Sequence, residues 1–253
     1  MEHPQYDYAV IGGDMRQVYL TEELAFNGNK ICHHGLISLP DGRRFSDTSC
    51  VVVSLSLEEA CMNSSCIICP IPLTKRGSYL NQNAFMEEIP LDAVVSALQP
   101  GQHFFAGCIP EDLKKLAMEK GVFVFDFMED DSLAIYNTIA TAEGAICEAV
   151  SKSAINLNGS RCAVLGYGKC GRTLASYLKG LFCHVYVCAE NLRECAEASV
   201  IAEDTGNLKD FKKRAGEFDF IFNTIPAPVI TSDMLESMKN SVTIIDIASA
   251  PGA

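Results

Sequence analysis

Three glycines in the second half of the chain separate a short apolar run from a helix-forming run. Gly166, Gly168 and Gly171 follow residues 161–165 directly and precede residues 173–179. In such a strand–turn–helix unit the first glycine makes the tight turn, the second lets the backbone approach a pyrophosphate, and the third lets helix and strand pack closely. Free N–H groups at the helix start attract an anion. The spacing therefore predicts a dinucleotide-binding turn.

A carboxylate follows the next apolar strand. Residues 184–188 lead into Glu190, which comes about 20 positions after the last of the three glycines, where an acid accepts hydrogen bonds from ribose hydroxyls. Two later loops also follow strands, and ordinary turn chemistry is the alternative explanation for both. The other cofactor-binding candidates in the glycine turn and these loops are Tyr167, Lys169, Cys170, Thr224, Ile225, Pro226, Ala248 and Ser249.

A second candidate site lies near the N-terminus, where the first predicted strand becomes the first helix. Asp14 is well placed as a helix N-cap. Arg16 would lie in the first turn, against the preference of the helix dipole, which suggests a partner there. A substrate carboxylate suits the forked guanidinium. The alternative is a surface arginine paired with Asp14 or a nearby glutamate.

A long run without proline in the middle of the chain carries two further polar candidates. Thr141 and Glu143 stand within residues 132–153, which are rich in Ala and Ile. If this helix faces a cleft, Glu143 could orient substrate or accept a proton. A solvated helix face is the alternative.

Composition and charge exclude several classes of protein. The chain has 253 residues, 48% hydrophobic and 21% charged, which suits one large or two ordinary packed domains. A net charge of −12 argues against a general nucleic-acid binder. The apolar runs fall short of the ~18 residues of a membrane span, and the polar, acidic N-terminal stretch does not have the pattern of a signal peptide.

Cysteine is abundant, with 12 residues scattered along the chain. Without a secretory signal, reduced thiols that act as small core residues are the better interpretation. Cys66 and Cys69 have redox or zinc spacing, but no second pair or histidine cluster accompanies them. We therefore expect no metal site.

Short apolar strands alternate with helices in both halves, which indicates parallel, doubly wound α/β sheets. We predict an N-terminal flavodoxin-like substrate domain over 1–131, an interdomain helix over 132–153, and a C-terminal Rossmann dinucleotide-binding domain over 154–253. A cleft between two such domains is a usual place for chemistry. The predicted strands are 8–11, 50–54, 66–69, 103–106, 122–125, 161–165, 184–188, 219–225 and 242–247. The main predicted helices are 17–25, 110–120, 132–153, 173–179, 191–203 and 207–215.

Taken together, these segments resemble the A-subunit family of bacterial dipicolinate synthase. The matching runs appear in family order over nearly the whole chain: 11–17, 137–145, 165–174, 223–227 and 245–252. The first two are more particular than the glycine motif, which is generic. The wider relatives are the formate/glycerate dehydrogenase-like two-domain proteins and the cofactor domain of adenosylhomocysteinase.

The resemblance implies NAD(P)-dependent oxidation of dihydrodipicolinate to dipicolinate (pyridine-2,6-dicarboxylate) during sporulation, in the cytoplasm of the mother cell. It also implies that the partner is the flavoprotein-like B-subunit of dipicolinate synthase, while assembly of identical copies is left open. Because the substrate is a dianion, Arg16 and the backbone N–H groups near Asp14 and Thr141 would capture its carboxylates. Glu143 would act as base or orienter.

The chain departs from the family pattern in three places. Ala140 stands where the family favours proline before Thr-Ala-Glu-Gly. Glu190 stands where the family often has arginine; a carboxylate repels a 2′-phosphate and accepts from a 2′-hydroxyl, so we predict NAD in preference to NADP. The family also continues beyond position 253, so we expect a truncated sequence or a missing C-terminal cap.

Two other functions fit parts of the pattern. One is a 2-hydroxyacid-type NAD dehydrogenase, but those enzymes usually have a catalytic histidine late in the cofactor domain, and no histidine follows His184. The other is a regulatory subunit that binds NAD without turnover.

Overall fold

Two separate parallel sheets organise the chain, which confirms the predicted α/β class. The computed structural model describes residues 5–36, 50–75, 77–82, 87–249 and 252. The chain divides into two units, Met1–Asp130 and Asp131–Ala253. Within the described ranges, no helix combines the length and apolar character that a membrane crossing requires.

The first unit is built on a six-stranded sheet. Its strands are β1 Tyr6–Ile11, β2 Ile31–His34, β3 Val51–Val53, β4 Ser64–Ile68, β5 His103–Ala106 and β6 Phe123–Asp126. Its helices are α1 Met15–Phe26, α2 Leu57–Met62, α3 Leu91–Ala97 and α4 Glu111–Glu119. The strand order, β3-β2-β1-β4-β5-β6, contains the predicted flavodoxin-like order and adds β3 at the edge beyond β2.

Alternation along each strand divides the first core into two layers. Ala9 and Ile11 of β1 lie in one layer with residues of α2, α3 and α4. Val10 lies on the opposite face, in the layer that includes Ala25 of α1. On this second face the rings of Phe105 and Phe125 stack at the β5–β6 edge with centroids 4.9 Å apart.

The second unit begins with the long helix α5 Asp131–Lys152, the stretch that the sequence predicted as an interdomain helix. Its other helices are α6 Lys169–Gly180, α7 Leu192–Ala198, α8 Leu208–Arg214 and α9 Ser232–Ser237. Its strands are β7 Arg161–Leu165, β8 His184–Cys188, β9 Asp204–Gly206, β10 Phe220–Asn223 and β11 Thr243–Asp246. They pair in parallel in the order β11-β10-β7-β8-β9.

Strand register in the second sheet brings three loops to one place. Leu165, at the end of β7, pairs with Cys188 of β8 and with Asn223 of β10. The sheet order reverses between β7 and β10, and open α/β sheets bind ligands in the crevice at the carboxyl ends of the strands at such a point. The register therefore places the loops after all three strands at the edge where a ligand would bind.

The cysteines are all free thiols. Cys69 is completely buried, and burial raises the pKa of its thiol well above the usual range. Burial also raises the pKa of Cys66. Within the described ranges, no group of three or more histidine, cysteine or acidic side chains is arranged to hold a metal ion.

Candidate dinucleotide-binding site

The turn between β7 and α6 contains two contacts that leave no room for a side chain. Gly166 has φ +96°, and a Cβ atom there would lie 2.4 Å from the Thr224 Oγ1 atom. A Cβ atom on Gly171 would lie 2.2 Å from the carbonyl oxygen of Gly166. The first position needs glycine for its left-handed backbone, and the second because α6 packs directly on the turn.

Gly168 differs from these two glycines because it faces open space. It is the N-cap of α6, and a Cβ atom on it would meet no heavy atom within 4 Å. Glycine has no side chain to accept hydrogen bonds from the N–H groups of the first helical turn, which therefore remain available to an external acceptor. Together with the helix dipole, this arrangement suits a phosphate.

Arg172 holds the glycine turn from the side of the helix. Its Nε atom donates to the Tyr167 carbonyl oxygen at 2.9 Å, and its guanidinium lies 4.5 Å from the centre of the Tyr167 ring. Its Nη2 atom is paired with Glu197 of α7 at 2.5 Å. These contacts fix Tyr167, which is 4% exposed.

A buried amide fixes the loop after β10. Asn223 is fully buried; its Nδ2 group donates to Asp246 Oδ1 and to the Ile225 carbonyl oxygen, both at 3.0 Å. Its Oδ1 atom accepts from the Ile225 N–H at 3.1 Å. The neighbouring Thr224 hydroxyl donates to the Leu165 carbonyl oxygen at 2.8 Å. The loop is thereby attached to the ends of both β7 and β11.

The loops after β7, β8 and β10 surround a cleft of about 600 Å³. Its lining consists of Gly166, Tyr167, Gly168, Lys169, Cys170, Cys188, Ala189, Glu190, Glu194, Leu208, Thr224, Ile225 and Pro226. Of the predicted cofactor residues, Gly171, Ala248 and Ser249 do not line it. Gly171 packs against the backbone of Gly166. The Ala248 N–H donates to Asp246 Oδ1 at 3.0 Å. The matching run at 245–252 includes residues 250 and 251, which are outside the described ranges.

The sequence missed four lining residues: Cys188, Ala189, Glu194 and Leu208. Glu194 is the most consequential of them. It is the third residue of α7, after the N-cap Asn191, and its Oε2 atom accepts from the Glu190 N–H at 3.1 Å. An acid three residues after an asparagine is a capping pattern that can be read from sequence, although the pattern alone does not place the acid in a cleft.

Helix α5 runs alongside α6 in the same direction. Lys169 contacts Asp131 at 2.6 Å, and further along both helices the Tyr177 hydroxyl donates to Glu143 at 3.4 Å. The start of α5 is therefore beside the start of α6. At ~1.5 Å per residue, Tyr177 lies about 12 Å along α6 from Lys169. Glu143 thus contacts α6 well away from the glycine turn.

Neither Glu143 nor Thr141 is among the described residues that line the cleft. Glu143 is exposed. The Thr141 hydroxyl donates to the Asn137 carbonyl oxygen one turn earlier in the same helix, at 3.1 Å. Their suggested roles in catalysis and substrate binding stay predictions.

In the first unit, Asp14 and Arg16 form the ion pair that the sequence left open as an alternative. The Arg16 Nε and Nη2 atoms donate to the two carboxylate oxygens of Asp14, each at 2.9 Å. The hydrogen bond from Arg16 holds the pKa of Asp14 below its usual range. Asp14 also caps α1 together with Gln17. The Arg16 side chain is 54% exposed, and its predicted contact with substrate stays a prediction.

Comparison with known proteins covers both units. Residues 7–128 match the family model of the N-terminal domain of the dipicolinate synthase A-subunit. Residues 135–251 match the D-isomer specific 2-hydroxyacid dehydrogenase NAD-binding domain. The dipicolinate synthase A-subunit of Bacillus subtilis (strain 168) is 29% identical over 248 residues, which are 96% of this chain and 81% of that protein. This chain is similar to the dipicolinate synthase A-subunit over nearly its whole length.

Solved structures agree with this relationship. The dipicolinate synthase A-subunit from Bacillus subtilis matches with a TM-score of 0.78 and 27% identity, over 98% of this chain and 82% of that one. The A-subunit from Bacillus halodurans matches with a TM-score of 0.81 and 25% identity, over 99% and 85%. A transhydrogenase from Sinorhizobium meliloti, with a TM-score of 0.62 and 14% identity over 95% and 78%, shares the fold alone. The match to an NAD-binding domain supports a nicotinamide dinucleotide cofactor and an oxidoreductase.

Two glycine-to-alanine variants test the structure of the turn. We expect Gly171→Ala to lower the free energy of unfolding by about 1–3 kcal/mol, because its Cβ atom meets backbone that cannot move aside. Gly168→Ala should keep wild-type stability but lose NADH binding, because its Cβ atom would occupy the space that a phosphate enters. Urea unfolding followed by circular dichroism and calorimetric titration with NADH measure the two effects.

Gly180→Ala is the matched control, because a Cβ atom at this end of the same helix meets nothing within 4 Å. It should leave NADH binding unchanged and should not destabilise the protein. Wild-type stability of Gly171→Ala, or wild-type NADH affinity of Gly168→Ala, would contradict this account of the turn.

Proposed function

We propose that this chain oxidises dihydrodipicolinate to dipicolinate with NAD as the hydride acceptor. The observation that carries the proposal is the combination of a cleft at the glycine turn of the second unit with a first unit matching the N-terminal domain of the dipicolinate synthase A-subunit. In the reaction, one ring carbon loses hydride and the ring loses a proton. The aromaticity of the product favours the step.

The residues of the second unit fit the dinucleotide. When bound, the nicotinamide supplies the acceptor for the hydride. The open N–H groups at the start of α6 would bind the pyrophosphate, and Glu190 would accept from the ribose hydroxyls. The loop from Thr224 to Pro226 is held by Asn223 and can orient the nicotinamide end without rearrangement.

A carboxylate at the ribose end favours NAD over NADP, because the 2′-phosphate would place further negative charge beside it. The Glu190 side chain is exposed at the cleft, and its carboxylate is therefore free to face a ligand. In the first unit, Arg16 is the proposed partner of a substrate carboxylate. A guanidinium has five N–H donors, so the two donated to Asp14 leave others for an anion.

Replacing the ribose-facing acid by a cation tests the cofactor preference. We expect Glu190→Arg to raise kcat/KM for NADP by about tenfold or more and to lower that for NAD, since one charge reversal at close range is worth at least ~1.4 kcal/mol. Steady-state rates with both cofactors measure the change. Preferential use of NADP by the wild-type protein would contradict the prediction.

Arg16→Ala tests the capture of the substrate carboxylate. We expect the KM for dihydrodipicolinate to rise about tenfold or more, because a charge-assisted bidentate contact is lost, while the Kd for NADH stays unchanged. Asp14→Asn is the matched control: it retains an N-cap but removes the negative partner of Arg16. If Asp14→Asn raised the KM as much as Arg16→Ala, Arg16 would be needed only for its ion pair.

Reconstitution tests the reaction itself. Dihydrodipicolinate is generated in place by dihydrodipicolinate synthase from aspartate semialdehyde and pyruvate, and this chain is added with NAD, with and without the B-subunit. The relatives are named as one subunit of a synthase, which motivates the second arm. We expect dipicolinate, detected by its ultraviolet absorbance, and an equimolar amount of NADH to form only when this chain is present.

Two outcomes would favour other functions. NADH binding without product, even with the B-subunit present, would indicate a regulatory role. Turnover of 2-hydroxyacids in a parallel panel would favour the dehydrogenase class whose NAD-binding domain matches residues 135–251.

A further inference from the structure

The loop after β8 and the first turn of α7 each contribute an acidic residue to the cleft lining, whereas the sequence pattern accounts for one. Glu190 is exposed and Glu194 is half-buried, and both residues belong to the lining. The hydrogen bond from the Glu190 N–H to the Glu194 carboxylate, at 3.1 Å, holds the second acid against the loop. The negative charge of the cleft at this end is therefore doubled.

Three backbone donors around the start of α7 are already engaged. The Glu190 N–H donates to Glu194, the Glu194 N–H donates to Asn191 Oδ1 at 3.0 Å, and the Cys195 N–H donates to the Asn191 carbonyl oxygen at 3.0 Å. A phosphate could accept from the Glu190 N–H only by displacing the Glu194 carboxylate. This loop contrasts with the start of α6, where Gly168 leaves the donors open.

The two arginines near the start of α7 are also engaged. Arg193, on the first turn of α7, donates from Nε to Glu197 Oε1 at 3.0 Å. Arg172 is paired with the same carboxylate at 2.5 Å. Hydrogen bonds from Arg172 and Arg193 hold the pKa of Glu197 below its usual range. Glu197 therefore pairs with both guanidinium groups, and neither Arg172 nor Arg193 is among the described residues that line the cleft.

We propose that Glu194 is a specificity-determining residue that excludes a 2′-phosphate from the ribose end of the cleft. It does so in two ways: it adds a second negative charge, and it occupies the Glu190 N–H that a phosphate would need. The inference rests on the proposed binding of a nicotinamide dinucleotide in this cleft. It attributes the preference for NAD to two acids, Glu190 and Glu194, which are linked by the hydrogen bond between them.

Binding measurements without substrate test this role. Calorimetric titrations give the Kd of NADH and of NADPH for the wild type, Glu194→Gln, Glu190→Gln and the double variant. We expect wild type to bind NADPH about tenfold or more weakly than NADH. Glu194→Gln should lower the Kd of NADPH about tenfold and change the Kd of NADH by less than about twofold, so the ratio of the two Kd values should narrow about tenfold.

Two comparisons separate the charge from the hydrogen bond. Glutamine at 194 can still accept from the Glu190 N–H, so Glu194→Gln removes only the charge, and an unchanged Tm shows that the start of α7 is intact. Glu194→Ala also frees the Glu190 N–H, and we expect it to narrow the ratio of the NADPH and NADH Kd values further. Glu236→Gln, an exposed position on α9 outside the cleft lining, removes the same charge and should leave the ratio unchanged.

The proposal is overturned if Glu194→Gln keeps the wild-type ratio of the two Kd values, whether or not Glu190→Gln changes that ratio. It is also overturned if the wild type binds NADPH as tightly as NADH, or if Glu236→Gln narrows the ratio equally. Because no substrate is present, a protein that discriminates as expected but forms no dipicolinate would contradict the proposed oxidation and support the role of Glu194.

Discussion

The close approach of backbone at Gly166 and Gly171 is the constraint on which the cofactor site depends. The Gly166 carbonyl oxygen lies directly against Gly171 in the first turn of α6. The Thr224 hydroxyl, after β10, donates to the Leu165 carbonyl oxygen at the end of β7, so the three elements are held together at the turn. This contact fixes where α6 begins, and so fixes the direction of its first N–H groups. The acids after β8 and the loop after β10 then line a cleft whose position is determined by the start of α6.

In the second unit, cationic side chains near the cleft join helices to one another, whereas the backbone N–H groups at the start of α6 stay open to an anion. Lys169 lines the cleft, yet its ammonium is paired with Asp131 and so joins α5 to α6. Arg172 supports the glycine turn and joins α6 to α7 through Glu197. With these cations engaged and a net charge of −12, attraction of an anion rests chiefly on the helix start. The electrostatics are therefore local: attractive at Gly168 and repulsive at Glu190 and Glu194.

The sequence predicted those parts of the fold whose signals are local. Strands with continuous apolar runs and the glycine turn were predicted, because periodicity and glycine spacing report directly on backbone geometry. The strands β2, Ile31–His34, and β9, Asp204–Gly206, were missed because neither has a continuous apolar run. The strand β9 forms by pairing with β8, and the helix predicted over 191–203 ends at Ala198. Glu194 was missed and Glu143 was singled out for a related reason. Which way a polar side chain on a helix points depends on its neighbours, and the neighbour of Glu143 is Tyr177, 34 positions away.

The two units use the same strand–glycine–helix pattern with opposite consequences for ligand binding. After β1, the chain turns at Gly13 with φ +97° and enters α1 through Asp14, whose carboxylate accepts from the Arg16 N–H while the Gln17 side chain accepts from the Asp14 N–H. The start of α1 is thus satisfied by its own side chains. After β7, the N-cap is Gly168, which has no side chain to do this. A helix start can bind an external anion only where its donors are unoccupied. The difference between aspartate and glycine at one position of the pattern therefore explains why the dinucleotide cleft is in the second unit and a paired arginine is in the first.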